Sequence, residues 1–84
     1  KTMYYIRLSV ADRAGVLAQI ARVLGDLNIS IASVIQKDAD ARAGTAELVI
    51  MTHPSREADV QTALERLKGL PVVAEISNFI RVEH

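Results

Sequence analysis

The sequence predicts an α+β fold, a four-stranded antiparallel sheet with two helices on one face. Three observations carry that expectation. Residues 4 to 10, Y-Y-I-R-L-S-V, alternate apolar and polar with the two-residue period of a half-buried strand. Val16, Leu17, Ile20, Ala21, Leu24 and Leu27 follow the 3.6-residue spacing of an amphipathic helix. Two strand-like stretches then flank the polar segment D-A-D-A-R-A-G at 38–44, as the arms of a hairpin flank its loop.

Taken in order, Tyr4, Ile6, Leu8 and Val10 form one side of the first strand, and Tyr5, Arg7 and Ser9 the other. Ala11 to Gly15 turn the chain into the first helix, with Asp12 placed to cap its first N–H groups and Gly25 placed to end it. The second strand runs from Ile29 to Lys37, with Ile29, Ile31 and Ile35 on one face. Thr45 to Thr52 returns as the third, with Ala46, Leu48 and Ile50 facing one way and Glu47, Val49 and Met51 the other. His53-Pro54-Ser55 breaks that strand, and Ser55 is the expected N-cap of a second helix. Its narrow apolar stripe is Val60, Ala63, Leu64 and Leu67, and it ends at Lys68-Gly69. After Leu70-Pro71, Val72 to Val82 forms the last strand, with Glu75, Ser77 and Asn78 marking a bulge.

This order is a split βαβ arrangement of the ferredoxin-like kind. Right-handed crossovers place both helices on one face, and the usual strand order, 4-1-3-2, leaves the second strand at an edge. That strand carries little charge before Lys37, so it is poorly defended against pairing with another copy. A homodimer is the expected assembly.

Composition removes several function classes. A chain of 84 residues, half of them apolar and without Trp, supports one aliphatic core and one domain, 1–84. Ten basic and ten acidic residues are interspersed without runs, which argues against nucleic acid and membrane surfaces as partners. The absence of cysteine rules out a disulfide framework, a thiolate nucleophile and a cysteine zinc site, and points to the cytoplasm. No apolar run approaches a membrane span and Lys1-Thr2-Met3 does not open a signal peptide. Met at position 3 suggests a piece of a longer chain, and Glu83-His84 reads equally as native sequence or the stub of a tag.

No catalytic or metal-binding constellation emerges. His53 adjoins Pro54 in a turn and His84 is terminal, both solvated positions. Asp38 and Asp40 share a loop without the further acidic ligands that calcium needs. D-R-A-G is neither a Walker sequence nor a G-x-G-x-x-G loop, and Asn28-Ile29-Ser30 is a chance match to a glycosylation acceptor. Two polar turns remain, one at each end of the first helix. Asp12 and Gly15 precede it, where unpaired N–H groups can hold a small anion; Asn28 and Ser30 follow it. Each residue alone has a plain structural reading: a cap, a tight turn, a turn and a strand start. The two turns cannot meet within one copy, but they can across a two-fold dimer.

The segment D-R-A-G-V-L-A-Q-I-A-R-V-L followed by N-I-S-I, in this βαββαβ order, resembles an ACT domain, the regulatory module of enzymes of amino-acid metabolism. The stretches Y-Y-I-R-L-S-V-A-D-R-A-G-V-L and I-S-I-A-S-V-I-Q-K are similar in particular to the C-terminal ACT domain of bacterial homoserine dehydrogenases. One departure is Ala14, where the family usually has proline; the turn loosens but keeps its N–H donors. The resemblance implies a small amino acid, L-threonine first, bound at a dimer interface by Asp12, Ala14, Gly15, Val16, Leu17, Asn28, Ile29 and Ser30. In that reading the N–H groups of Gly15, Val16 and Leu17 take the ligand carboxylate and Asp12 its ammonium. Asn28 or Ser30 of the other copy reaches the hydroxyl or the ammonium.

It further implies feedback control of a parent enzyme whose NAD(P) is held by a catalytic domain, with no cofactor, metal or turnover in this one. Two alternatives stand beside it: a dimerisation module without ligand, and an ACT sensor of serine, isoleucine or phenylalanine attached to another enzyme. The small side chains at Ala14 and Ser30 argue against phenylalanine.

Overall fold

The computed structural model describes residues 1–82; Glu83-His84, native or tag, lie outside them. The elements are β1 (Met3–Ala11), α1 (Val16–Asp26), β2 (Ile31–Asp40), β3 (Thr45–Thr52), α2 (Glu57–Lys68) and β4 (Val73–Val82). They form one antiparallel four-stranded sheet in the order β2-β3-β1-β4, the order expected from the sequence. Tyr4, Ile6, Leu8 and Val10 of β1 join Val16, Ile20 and Leu24 of α1 and Val60, Ala63, Leu64 and Leu67 of α2 in one core, so both helices cover the same face. Each fully buried Ile or Leu contributes roughly 1.5–3 kcal/mol by leaving water. Thr52, fully buried among them, accepts a hydrogen bond from the Tyr4 N–H at 3.1 Å.

The ends of α1 differ from the sequence expectation. Gly25 lies inside the helix, which instead closes at Asn28, held left-handed at φ 59°. The Asn28 N–H donates to the Gly25 carbonyl at 3.0 Å and the Ile29 N–H to the Leu24 carbonyl at 2.9 Å, the paired bonds of a Schellman ending. Asn tolerates that conformation better than most side chains, and Ile29 and Leu24 are buried in the same core. A glycine at 25 therefore serves no cap. A Cβ there meets nothing within 4 Å, so Gly25→Ala should raise the urea midpoint, by about 0.5–1 kcal/mol of added stability.

At the other end, Asp12 does not cap α1. The N-cap is Gly15, left-handed at φ 86°, and no side chain bonds the helix start. Gly15 is required by that backbone angle and not by crowding, since a Cβ there also meets nothing. Ser55 likewise is not the cap of α2. The cap position is Arg56, whose Nε donates to Asp59 at 3.0 Å, while buried Ser55 donates its hydroxyl to the His53 carbonyl at 2.9 Å and bridges backbone to Thr2.

Two bulges interrupt the pairing of β2 with β3. Ile31 faces Thr52 but Ser33 faces Met51, and Gln36 faces Leu48 but Ala39 faces Ala46. The extra residue near Ala32 shifts the alternation, so Ile31 and Val34 pack toward the core and Ile35 points to the open sheet face, 53% exposed. Ile35 therefore does not share a face with Ile31. In β4 the expected bulge is present: Arg7 pairs with Asn78 and Leu8 with Ile76, leaving Ser77 unpaired. On the open face Arg7 and Glu47 form an ion pair across β1 and β3, and that hydrogen bond raises the Arg7 pKa.

Candidate functional site

The β1–α1 turn is fixed by backbone on both sides. The Ala11 N–H donates to the Val72 carbonyl and the Asp12 N–H to the Gly44 carbonyl, each at 2.8 Å. The second bond ties the turn to the β2–β3 hairpin. That hairpin is itself ordered by Asp40, whose carboxylate accepts from the N–H groups of Arg42 and Ala43 and whose carbonyl accepts from Gly44.

Between the turn and the hairpin strands lies an open cavity of about 380 Å³. Asp12, Ala14, Gly15, Val16 and Leu17 all line it, so five of the residues singled out from sequence come together. The N–H groups of Gly15, Val16 and Leu17 have no acceptor among the described residues, and the first helical bond is donated by Gln19 to the Gly15 carbonyl. The first turn of α1 holds no acidic residue, whereas α2 begins with Glu57 and Asp59 and ends with Arg66 and Lys68. The positive end of the α1 dipole is thus left without a neutralising side chain inside the helix. Asp12 is exposed beside it, and its carboxylate makes no hydrogen bond or ion pair among the described residues.

The other three residues are elsewhere. Asn28 borders a second, more polar hollow of about 430 Å³ with Lys1, Pro54, Ser55, Arg56 and Asp59. Ile29 is buried in the core, with its N–H taken by Leu24. Ser30 is exposed, and its carbonyl accepts from the His53 N–H at 2.8 Å. Within one copy the two ends of α1 remain apart, as the sequence reading requires.

Sequence reasoning missed the rest of the cavity wall. Val10, Ala46 and Leu48 supply an apolar floor, Val34 and Gln36 come from β2, and Arg13 adds a cation beside Asp12. Val34 and Gln36 share a face at a two-residue interval, which was visible in the sequence; the bulge at Ala32 hid which face it was. Among the described residues Gln36 is the one uncharged polar side chain on this wall, able both to donate and to accept.

Comparison with known proteins is consistent with this geometry. The family model of the ACT domain matches residues 4–72. Homoserine dehydrogenases of Methylobacillus glycogenes and Corynebacterium glutamicum are 36% and 37% identical over 95% and 98% of this chain. The chain spans only 19% and 18% of their lengths. The crystal structure of a homoserine dehydrogenase from Thiobacillus denitrificans superposes with a TM-score of 0.85 at 36% identity, over 98% of this chain and 17% of that one. The ACT domain of a GTP pyrophosphokinase from Chlorobium tepidum, at 18% identity and a TM-score of 0.68 over 96% of this chain and 97% of that one, shares the fold. With the βαββαβ architecture and the family match over most of its length, this chain belongs to the ACT domain family, and its relatives include homoserine dehydrogenases.

Proposed function

We propose that this chain is the amino-acid-sensing regulatory domain of a homoserine dehydrogenase, binding L-threonine at a dimer interface for feedback inhibition of threonine and methionine biosynthesis. The observation that carries the reading is an uncapped helix start beside an unpaired carboxylate, set over an apolar floor in one cavity. An α-amino acid has the complementary set of groups. Its carboxylate meets the N–H groups of Gly15, Val16 and Leu17 at the positive end of α1. Its ammonium meets Asp12, and a short side chain rests on Val10, Val34, Ala46 and Leu48. Gln36 is placed to bond a ligand hydroxyl, which distinguishes threonine from its apolar isostere valine.

Regulation follows as a population shift. A ligand held between two copies favours one relative placement of the ACT domains, and the remainder of each polypeptide responds to that placement. NAD(P) belongs to the catalytic part of such an enzyme. The glycines of this chain do not form the G-x-G-x-x-G loop that would hold it.

Calorimetric titration with L-threonine, L-serine, L-isoleucine and L-valine tests the proposal. Saturable heat for threonine, with valine at least about tenfold weaker as expected for loss of one good hydrogen bond, supports it. No heat and no shift in Tm with any of the four would leave a dimerisation module without ligand. Homoserine oxidation by this chain alone should be absent; turnover would overturn the regulatory reading.

A further inference from the structure

Resting on the ligand site in that reading, we infer that Asp40 is a positioning residue for it: acting through the β2–β3 hairpin, it fixes the place of the Asp12 carboxylate. Order in the hairpin and occupancy of the cavity are thereby coupled. Asp12 is exposed, and its side chain makes no bond among the described residues, so its backbone alone determines where the carboxylate stands. The Asp12 N–H donates to the Gly44 carbonyl at 2.8 Å, one step beyond the last pair of the β1–β3 ladder, Ala11 with Thr45. Immediately afterwards the chain turns away, with the Arg13 N–H donating back to the Ala11 carbonyl at 3.1 Å. Among the described residues, the bond to Gly44 is the last backbone anchor to another element before the uncapped start of α1.

The anchor itself is set by one side chain. The Asp40 Oδ1 accepts the N–H groups of Arg42 and Ala43 at 3.0 and 3.2 Å, and the Asp40 carbonyl accepts the Gly44 N–H at 2.8 Å. Gly44 then leaves the loop left-handed, at φ 67°, a conformation open to glycine at little cost. Residues 40–44 are all exposed and none belongs to the buried core, so the loop keeps its shape by these hydrogen bonds and not by packing. Removing the Asp40 carboxylate releases two N–H groups to water, loosens the Gly44 carbonyl, and with it the Asp12 backbone.

The consequence for the site is one of matching distances. An α-amino acid carries its ammonium and carboxylate on a single carbon, so the groups that receive them have to keep one separation. The N–H groups of Gly15, Val16 and Leu17 are carried by α1, whose Val16 is buried, whereas Asp12 depends on the hairpin. A free Asp12 has to be ordered again each time a ligand binds, which lowers affinity without removing any contact. The coupling is reciprocal: an ammonium held by Asp12 also steadies Gly44 and the exposed loop before it, where the rest of a longer polypeptide can sense occupancy.

Asp40→Ala and Asp40→Asn test the role together. Asparagine keeps an acceptor oxygen for Arg42 and Ala43 and favours the same turn, whereas alanine has none. By calorimetry Asp40→Ala should weaken threonine binding about 3- to 10-fold, as for members of one hydrogen-bond network, and Asp40→Asn should restore it to within about twofold. In an Asp12→Asn background the further loss from Asp40→Ala should be less than about twofold, because Asp40 acts through that carboxylate. In the ligand-free chain, Asp40→Ala should speed amide hydrogen exchange at Asp12 and Gly44 and leave Ala11, held by the Val72 carbonyl, unchanged. Undiminished affinity in Asp40→Ala, an equal loss in Asp40→Asn, or an additive loss beside Asp12→Asn would each overturn this role and leave the sensor reading standing. Unchanged exchange at Asp12 would overturn it without any ligand. Absence of threonine binding to the unmodified chain would overturn the sensor reading and this role with it.

Discussion

Leu24→Ala lowers the unfolding free energy by about 3–5 kcal/mol, measured as a fall in the urea midpoint at unchanged slope. Leu24 is completely buried at the junction of α1, α2 and the sheet, and its backbone carbonyl accepts the Ile29 N–H that closes the helix. The truncation removes core contacts and loosens the packing of Ile29 against the same point. A domain of this size holds roughly 4–13 kcal/mol in all, so the loss is a large fraction of it. Leu17→Ala in the same helix, at a position 44% exposed, should cost less than about 1 kcal/mol. Its effect should appear in ligand affinity, because Leu17 lines the cavity.

Asp12→Asn weakens threonine binding by about 10- to 100-fold, the loss of a charge-assisted hydrogen bond of about 1.5–3 kcal/mol, while the dimer and Tm stay unchanged. The carboxylate makes no bond among the described residues, so its neutralisation leaves nothing inside the chain unsatisfied. Calorimetry on the variant reads the affinity and sedimentation reads the assembly. Equal threonine affinity in both proteins would remove Asp12 from the site. Asn28 is a poorer probe than the sequence suggests. Its left-handed backbone is part of the helix ending, and Asn28→Ala disturbs the fold as well as any ligand contact.

Periodicity made the six elements and the apolar stripe of α2 legible, because each depends on local alternation or on 3.6-residue spacing; the strand order followed from the element sequence and the usual order of a split βαβ arrangement. The turn residues were legible as turns but not in their roles. Asp12, Gly25 and Ser55 each match a capping preference, yet the backbone placed the turning points at Gly15, Asn28 and Arg56. Capping preferences rank residue types; which position reaches the free N–H groups depends on how strand and helix are docked. The cavity was half legible for a related reason. Asp12 to Leu17 are contiguous in the chain, whereas Val34, Gln36, Ala46 and Leu48 reach it only through the hairpin register. Two bulges in β2 set that register, and neither is marked by glycine or proline.

The two ends of α1 are finished differently, and the difference links recognition to folding. At the C-terminal end the backbone satisfies itself through the Asn28 turn; at the N-terminal end Gly15 stops the helix without covering its first donors. An anion bound there supplies what a serine or aspartate cap supplies in other helices, about 1 kcal/mol of it. In the proposed complex the carboxylate of the amino acid would thus become a removable piece of secondary structure. Occupancy and fraying of the first turn would then be opposite sides of one equilibrium, and amide hydrogen exchange at Gly15, Val16 and Leu17 should slow in proportion to the ligand bound.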